Sequence, residues 1–158
     1  MNSKFILVIL GVAAGVGACG GDGGTGPESR YESIAATYNG VLVGVSQGIA
    51  LNSTFSLTIA QTQGNLGGSW GLSGVLNDGV STLNVAGSGT LAGTIAAGNN
   101  PSVNLTVRVP GCPNYQAQFS GAYDVSNRRL TIAGPVEFFA ANSCTVVLSY
   151  PSTIILTR

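Results

Sequence analysis

The chain has 158 residues, of which 8% are charged, and it contains 24 glycines, three cysteines and no histidine. Six basic residues balance six acidic ones, which argues against nucleic-acid binding because no basic excess remains to neutralise phosphates. The lack of histidine removes the commonest general base and the commonest metal ligand. The length is typical of one domain, and the 44% apolar content argues against wholesale disorder.

The first residues have the three-part form of an export signal. Lys4 carries a positive charge, an apolar run extends from Phe5 to about Val16, and small residues precede Cys19. As a helix, the apolar run would be only ~18 Å long, which is short of the ~30 Å hydrocarbon core of a bilayer. The pattern therefore predicts a signal peptide over residues 1–18 rather than a permanent membrane helix.

The segment Val16-Gly17-Ala18-Cys19 resembles the lipobox of bacterial lipoproteins. The resemblance implies cleavage before Cys19 and acylation of this cysteine, which would tether the protein to a membrane. The alternative is an ordinary secretory signal with a chance cysteine. Gly20, where an aspartate would retain a lipoprotein at the inner membrane, resembles the default for the outer membrane in a host with two membranes. The protein would then lie at the periplasmic face or the cell surface.

Residues 20–30 are rich in glycine and poor in apolar side chains. This composition is typical of a flexible linker. We therefore expect Cys19 and the linker to occupy residues 19–30, followed by a single globular domain over residues 31–158. A monomer is expected.

The globular part shows apolar and polar residues in alternation, which is typical of half-buried strands. One such run contains Phe55, Leu57 and Ile59, and another contains Val103, Leu105 and Val107. Turn signals recur at short intervals between the runs, and such short connections join antiparallel neighbours. The sequence predicts an all-β fold, an antiparallel meander of about eight to ten strands, as a barrel or a two-sheet sandwich.

Glycines favour the barrel over the sandwich. The segments at 68–74 and 87–93 share the form G-S-x-x-L-x-G, which places glycines inside strands. Interior glycines permit the bends and bulges by which a sheet curls and closes.

The segment Gly44-Val45-Ser46-Gln47-Gly48 matches the G-x-S-x-G pattern of a nucleophile elbow. That elbow requires a strand-to-helix turn and a histidine that accepts the serine proton. The chain has no histidine and no helical pattern after Ser46, so we interpret the segment as a strand with turn glycines.

Two cysteines remain once Cys19 is assigned to lipid. Cys112 and Cys144 form an even pair in an exported domain, where oxidising conditions favour a disulfide. Closing a loop of about 33 residues would stabilise the fold by about 3.7 kcal/mol in the chain-entropy model. A metal site or a redox couple is the competing interpretation, but the pair lacks histidine partners and C-x-x-C spacing. No metal and no cofactor are expected.

Carboxylates offer the remaining route to an enzyme. A glycosidase needs two of them across a sugar, and the globular part contains Glu32, Asp78, Asp124 and Glu137. Asp78 and Asp124 lie in turn sequences, where aspartates favour local hydrogen bonds to the backbone. We therefore expect no enzymatic activity, with a carboxylate-based hydrolase as the least favoured alternative. Arg128-Arg129 is interpreted as a solvated hairpin end.

Aromatic side chains are the candidates for ligand binding. A small barrel has room for its own side chains or for one small ligand, so the aromatics either fill the core or line a pocket. The candidate ligand-binding residues are Trp70, Tyr115, Phe119 and Tyr123.

Most of the segment 38–158 resembles a recurring type of uncharacterised small β-barrel lipoprotein. The likeness rests on strands of the form F-S-L-T-I (Phe55 to Ile59) and G-S-W-G-L (Gly68 to Leu72), a cysteine pair, and a final apolar strand ending in arginine. Gly68-Ser69-Trp70 also gives a fainter similarity to avidin-like and lipocalin-like barrels.

The expected function is binding, either of a small apolar molecule in the barrel mouth or of an envelope protein on the loops. The alternative is a structural or adhesive module without a ligand cavity, in which polar strand faces contact other molecules.

Overall fold

The computed structural model describes residues 30–140 and 143–158. The predicted signal peptide, Cys19 and nearly all of the predicted linker lie outside the described residues. Among the described residues, no helix is long and apolar enough to cross a bilayer.

Eight antiparallel strands follow one another around a closed barrel, each hydrogen-bonded to its neighbours in chain order. The prediction of an all-β meander is confirmed, and the barrel rather than the sandwich is observed. The strands are β1 (Ala36–Ser46), β2 (Ile49–Thr62), β3 (Asn65–Asn77), β4 (Thr82–Ile95), β5 (Ser102–Arg108), β6 (Gln116–Asp124), β7 (Arg129–Phe139) and β8 (Val146–Thr157).

The period-two pattern of the sequence decides which side chains fill the barrel. On β2, the odd-numbered residues from Leu51 to Ile59 are all buried, while most of their even-numbered neighbours are exposed. Buried residues from all eight strands form one continuous apolar core inside the barrel, and burial of this apolar surface is the main stabilising contribution.

Short turns fix the register of the meander. Gln47 and Gly48 both have positive φ, of 52° and 80°, and they connect β1 directly to β2. Two successive residues with positive φ are typical of a type I′ hairpin turn, whose twist matches that of the strands. Ser46 therefore precedes a hairpin turn, and the strand–turn–helix context of a nucleophile elbow is absent there.

The barrel has two different ends. We call one the disulfide end, because Cys112 and Cys144 are bonded there in the loops that follow β5 and β7. It also carries the β1–β2 and β3–β4 turns. We call the other the termini end, because residues 30–35 and Arg158 lie there with the β2–β3, β4–β5 and β6–β7 turns.

Residues 30–35 fold across the termini end and close it. Ile34 is fully buried, and its backbone N–H donates to the side-chain oxygen of Gln61 at 2.7 Å. The Gln61 amide donates in turn to the carbonyl of Glu32 at 2.9 Å. Tyr38, also fully buried, donates its hydroxyl to the carbonyl of Ile34 at 2.9 Å. Because these hydrogen bonds satisfy the polar groups of the segment, it can pack on the core as a plug.

Arg158 completes this plug from the other terminus of the barrel. Its guanidinium donates to the carbonyl of Ser33 at 2.9 Å and to the Tyr38 hydroxyl at 3.3 Å. It also lies 5.6 Å above the Tyr38 ring and 5.9 Å above the Tyr123 ring, within the range of cation–π attraction. The hydrogen bond from Arg158 opposes the effect of burial, but burial dominates and raises the pKa of Tyr38.

Candidate functional site

An apolar cavity lies inside the barrel, in the half nearer to the disulfide end. The cavity opens to solvent and offers a volume of about 70 Å³ to water-sized molecules, so only a small ligand would fit. Aromatic side chains supply much of the wall. The aromatic residues that line the cavity are Phe55, Trp70, Tyr115, Phe119 and Phe138.

The cavity lies where two neighbouring strands separate. β6 pairs with β7 only from Ser120 to Asp124, opposite Arg129 to Ala133. Beyond Ala133, β7 continues to Phe139 but pairs with β8 alone. Pro135 lies directly after this point, and because proline has no backbone N–H it cannot donate to a ladder. Side chains rather than backbone hydrogen bonds therefore fill the space between β6 and β7 at the disulfide end.

Trp70 forms one wall of the cavity and is held from both sides. Its ring stacks on Phe55, with centroids 6.3 Å apart and planes 18° from parallel. Its indole N–H donates to the carbonyl of Arg108 at 3.0 Å. The indole reaches β5 by passing over Gly89 of β4, where a Cβ atom would lie 2.6 Å from the indole nitrogen. The glycine thus makes this position of Trp70 possible.

Among the described residues that line the cavity, Glu137 is the only charged one. Its carboxylate accepts hydrogen bonds from the Tyr115 hydroxyl and, at 3.3 Å, from the Ser149 hydroxyl. Burial raises the pKa of Tyr115, and its hydrogen bond to Glu137 raises this pKa further. The tyrosine therefore stays protonated at neutral pH and remains a donor to Glu137.

The disulfide ties together the two loops that flank this opening. Cys112 belongs to the β5–β6 loop and Cys144 to the β7–β8 loop, and their Cα atoms lie 5.5 Å apart. The predicted pairing is therefore present. Tyr115, three residues after Cys112, packs edge-on against Phe139 with ring centroids 4.7 Å apart. The cross-link thus holds both sides of the β6–β7 gap close to the cavity.

The four aromatic residues predicted from the sequence do not all meet. Trp70, Tyr115 and Phe119 line the cavity. Tyr123 instead lies at the termini end, where its ring packs edge-on against Tyr38 at a centroid distance of 6.4 Å. Glu137 was not predicted to be a cavity residue. Pro135, two residues earlier, does indicate that the pairing of β7 with a neighbouring strand ends there, because proline has no backbone N–H to donate.

The two turn aspartates serve their own turns. Asp78 accepts hydrogen bonds from the backbone N–H groups of Ser81 and Val80, at 2.7 and 2.9 Å, and these bonds lower its pKa. Asp124 accepts from the side chain and the backbone of Asn127, at 2.7 and 3.1 Å, which likewise lowers its pKa. This agrees with the prediction that these aspartates make local hydrogen bonds.

The remaining charged candidates lie at the termini end. Glu32 belongs to the plug, and Arg128 and Arg129 end the β6–β7 turn with exposed side chains. Arg129 lies 4.0 Å from Asp124 across the hairpin. The arrangement fits the interpretation of Arg128-Arg129 as a solvated hairpin end.

Comparisons with protein-family models, with curated proteins and with solved structures gave no match to this chain.

Proposed function

We propose that this chain is an exported, lipid-anchored protein of the bacterial cell envelope whose barrel binds a small, mostly apolar ligand at the disulfide end. The observation that carries the binding part is the aromatic cavity beside the gap between β6 and β7. Apolar concave sites with a few polar groups are the usual form of small-molecule sites. The plug at the termini end leaves the disulfide end as the route of entry.

Two features support export and anchoring. The Cys112–Cys144 disulfide is typical of an oxidising compartment, and the segment Val16-Gly17-Ala18-Cys19 resembles a lipobox. Arg30, the first described residue, follows Cys19 by eleven residues, which span about 40 Å at most. An acylated Cys19 would therefore keep the termini end within about 40 Å of the membrane, and the cavity lies at the opposite end of the barrel.

The charge distribution supports this orientation. Among the described residues, the charged side chains at the termini end are four arginines and two carboxylates. These are Arg30, Arg128, Arg129 and Arg158, and Glu32 and Asp124. A basic surface is attracted to anionic lipid headgroups. Among the described residues, the termini end is thus the more basic of the two ends.

The anchor is tested by replacing Cys19. A Cys19→Ser variant expressed in the host should move from the membrane fraction to the soluble envelope fraction. If this variant stayed with the membranes, the lipid anchor would be refuted.

Ligand binding is tested by native mass spectrometry of the delipidated protein purified from its host, with a cavity-filling variant as comparison. Ala117 is buried in the cavity wall, whereas Ala122 lies on the outer face of the same strand. We expect a bound small molecule in the wild type and in Ala122→Leu, and a reduced amount in Ala117→Leu. Equal occupancy in the two variants, both folded, would contradict the cavity as the site.

A second candidate is an interaction module that binds a protein on its outer surface. On the outer face of β1, Val41, Val43 and Val45 are 64%, 67% and 74% exposed, and Ile155 of the adjacent β8 is 50% exposed. Exposed apolar patches often mark interaction sites. If Val41→Ser and Val43→Ser abolished envelope cross-links while Ala117→Leu did not, this candidate would replace the ligand-binding proposal.

A further inference from the structure

Among the described residues, Glu137 has no ion-pair partner within 4.0 Å. Among residues 30–140 and 143–158, the only ion pair within 4.0 Å joins Arg129 to Asp124 at the opposite end of the barrel. Glu137 instead receives one hydrogen bond on each carboxylate oxygen, from Tyr115 and from Ser149. An ionised carboxylate can accept about four hydrogen bonds. Because Glu137 and Ser149 are register partners on the outward-pointing positions of β7 and β8, the carboxylate lies at the rim of the cavity, where it retains free acceptor capacity.

The rest of the cavity wall suits a positive charge with a hydrocarbon body. The faces of aromatic rings are electron-rich and attract ammonium groups, tryptophan most strongly. Trp70, Phe138 and Tyr115 line the same cavity as Glu137, and the other lining residues are apolar. An anionic ligand would meet the carboxylate without a basic partner, and like charges at short range repel strongly in a low-dielectric site.

The wider charge distribution points the same way. Among the described residues of the disulfide end, Glu137 and Asp78 are the acidic side chains and Arg108 is the basic one. The termini end, by contrast, has an excess of arginine. The field of the barrel therefore attracts cations to the end that carries the cavity and repels them from the other end.

We infer that the ligand of this cavity is a small organic cation, a protonated amine or a quaternary ammonium with an apolar body, held by Glu137 and the surrounding aromatic rings. This inference rests on the proposed function, since it names the ligand class for the same cavity. It also gives the Tyr115 and Ser149 hydroxyls a role, which is to orient the carboxylate before the ligand binds.

Three probes with one chain length and different head groups test the inference: hexylamine, which is protonated at pH 7, hexanol and hexanoate. Binding is followed by titration calorimetry and by the fluorescence of Trp70, the chain's only tryptophan. We expect hexylamine to bind about tenfold or more tightly than hexanol, because charge-assisted contacts are stronger than neutral ones. Hexanoate should bind most weakly.

Glu137→Gln preserves the shape of the side chain and one acceptor oxygen, and its NH2 group can donate to the Ser149 hydroxyl in place of the second accepted bond. We expect it to bring the affinity ratio of hexylamine to hexanol close to one. Asp124→Asn removes the same charge from the opposite end and should leave the ratio unchanged. If the two variants lowered the ratio equally, a general field effect would replace the proposed contact. If Glu137→Gln fails to fold, the order of the affinities of hexylamine, hexanol and hexanoate for the wild type still tests the inference.

The outcomes separate the inference from the proposed function. Binding of hexanol and hexylamine with equal affinity would overturn the cation inference but leave the apolar binding site intact. Tighter binding of hexanoate than of hexylamine would also overturn it. No binding of any of the three probes would count against the cavity as a binding site, and therefore against both.

Discussion

The indole N–H of Trp70 donates to the carbonyl oxygen of Arg108 at 3.0 Å and so joins β3 to β5 across the intervening strand. The contact passes over Gly89, which has no side chain to obstruct it. One wall of the cavity is therefore fixed to the strand that leads into the disulfide loop. A rigid wall of this kind favours a preorganised site.

Gly89→Ala should destabilise the barrel. A Cβ atom at this position would lie 2.0 Å from the Arg108 carbonyl oxygen and 2.6 Å from the indole nitrogen, and overpacking of this kind typically costs about 1–3 kcal/mol. Gly67→Ala is the matched control, because a Cβ atom there meets nothing within 4 Å. Urea denaturation should show a loss for Gly89→Ala and a change within about 0.5 kcal/mol for Gly67→Ala. Equal effects would contradict the packing described for Trp70.

Removal of the disulfide should destabilise the fold without changing its topology. The Cys112→Ser, Cys144→Ser double variant loses a cross-link over a sequence separation of 32 residues, which is worth about 3–4 kcal/mol in the chain-entropy model. The free energy of unfolding measures the loss of stability, and the far-ultraviolet circular dichroism spectrum shows whether the β-sheet is unchanged. Unchanged stability would show that the cross-link does not constrain the unfolded chain as the account requires.

Stability should be nearly constant between about pH 5.5 and 9, because the chain has no histidine to titrate there. Below about pH 4 it should fall. The native pKa values of Asp78 and Asp124 are lowered, so their contribution is present above the unfolded pKa and is lost as the pH drops through the native one. Thermal melting from pH 2 to 9 checks this, and Asp78→Ala should flatten the acid limb.

Above about pH 10 a second decline is expected. The native pKa values of Tyr115 and Tyr38 are raised by burial, so both remain protonated in the native state after the unfolded tyrosines have ionised. A raised native pKa contributes stability that is present below the unfolded value and lost as the pH rises above it. Tyr115→Phe should reduce the alkaline decline, which thermal melting between pH 8 and 12 would measure; an unchanged decline would contradict the burial of the Tyr115 hydroxyl.

The plug at the termini end should contribute measurably to stability. Ile34 is fully buried although it lies outside every strand, and replacing a buried isoleucine with alanine costs about 2–5 kcal/mol. Val80→Ala serves as control because Val80 is 97% exposed. If urea denaturation gave similar stabilities for Ile34→Ala and Val80→Ala, residues 30–35 would not be packed as described.

Much of the barrel could be predicted because its signals are local. The alternation at Phe55, Leu57 and Ile59 fixes which face is buried, and turns such as Gln47–Gly48 fix the antiparallel order. The residues of the cavity were harder to predict, because inward-pointing side chains of one strand can lie at opposite ends of the barrel. Tyr123 points inward like Phe119, but four residues of strand separate the two by about 13 Å, and this distance takes Tyr123 to the other end.

Glu137 shows a second limit of sequence reasoning. Its place in the cavity depends on the end of the β6–β7 pairing at Ala133 and on the position of Tyr115 in a loop. Both are tertiary features, because they involve segments that are distant in sequence. Alternation correctly places the Glu137 side chain on the outer face beside its register partner Ser149, but it does not show that β6 leaves this edge of β7 open to the cavity.

Amide chemical-shift mapping of the ¹⁵N-labelled domain during titration with hexylamine tests the central claim most directly. We expect the shift changes to concentrate at the cavity, at Val107, Phe119, Val136 and Phe138. Leu156 and Tyr38 at the termini end should show no change, nor should Val43 on the outer face of β1. Shift changes confined to the outer face of β1 or to the termini end would contradict a ligand site inside the barrel at the disulfide end.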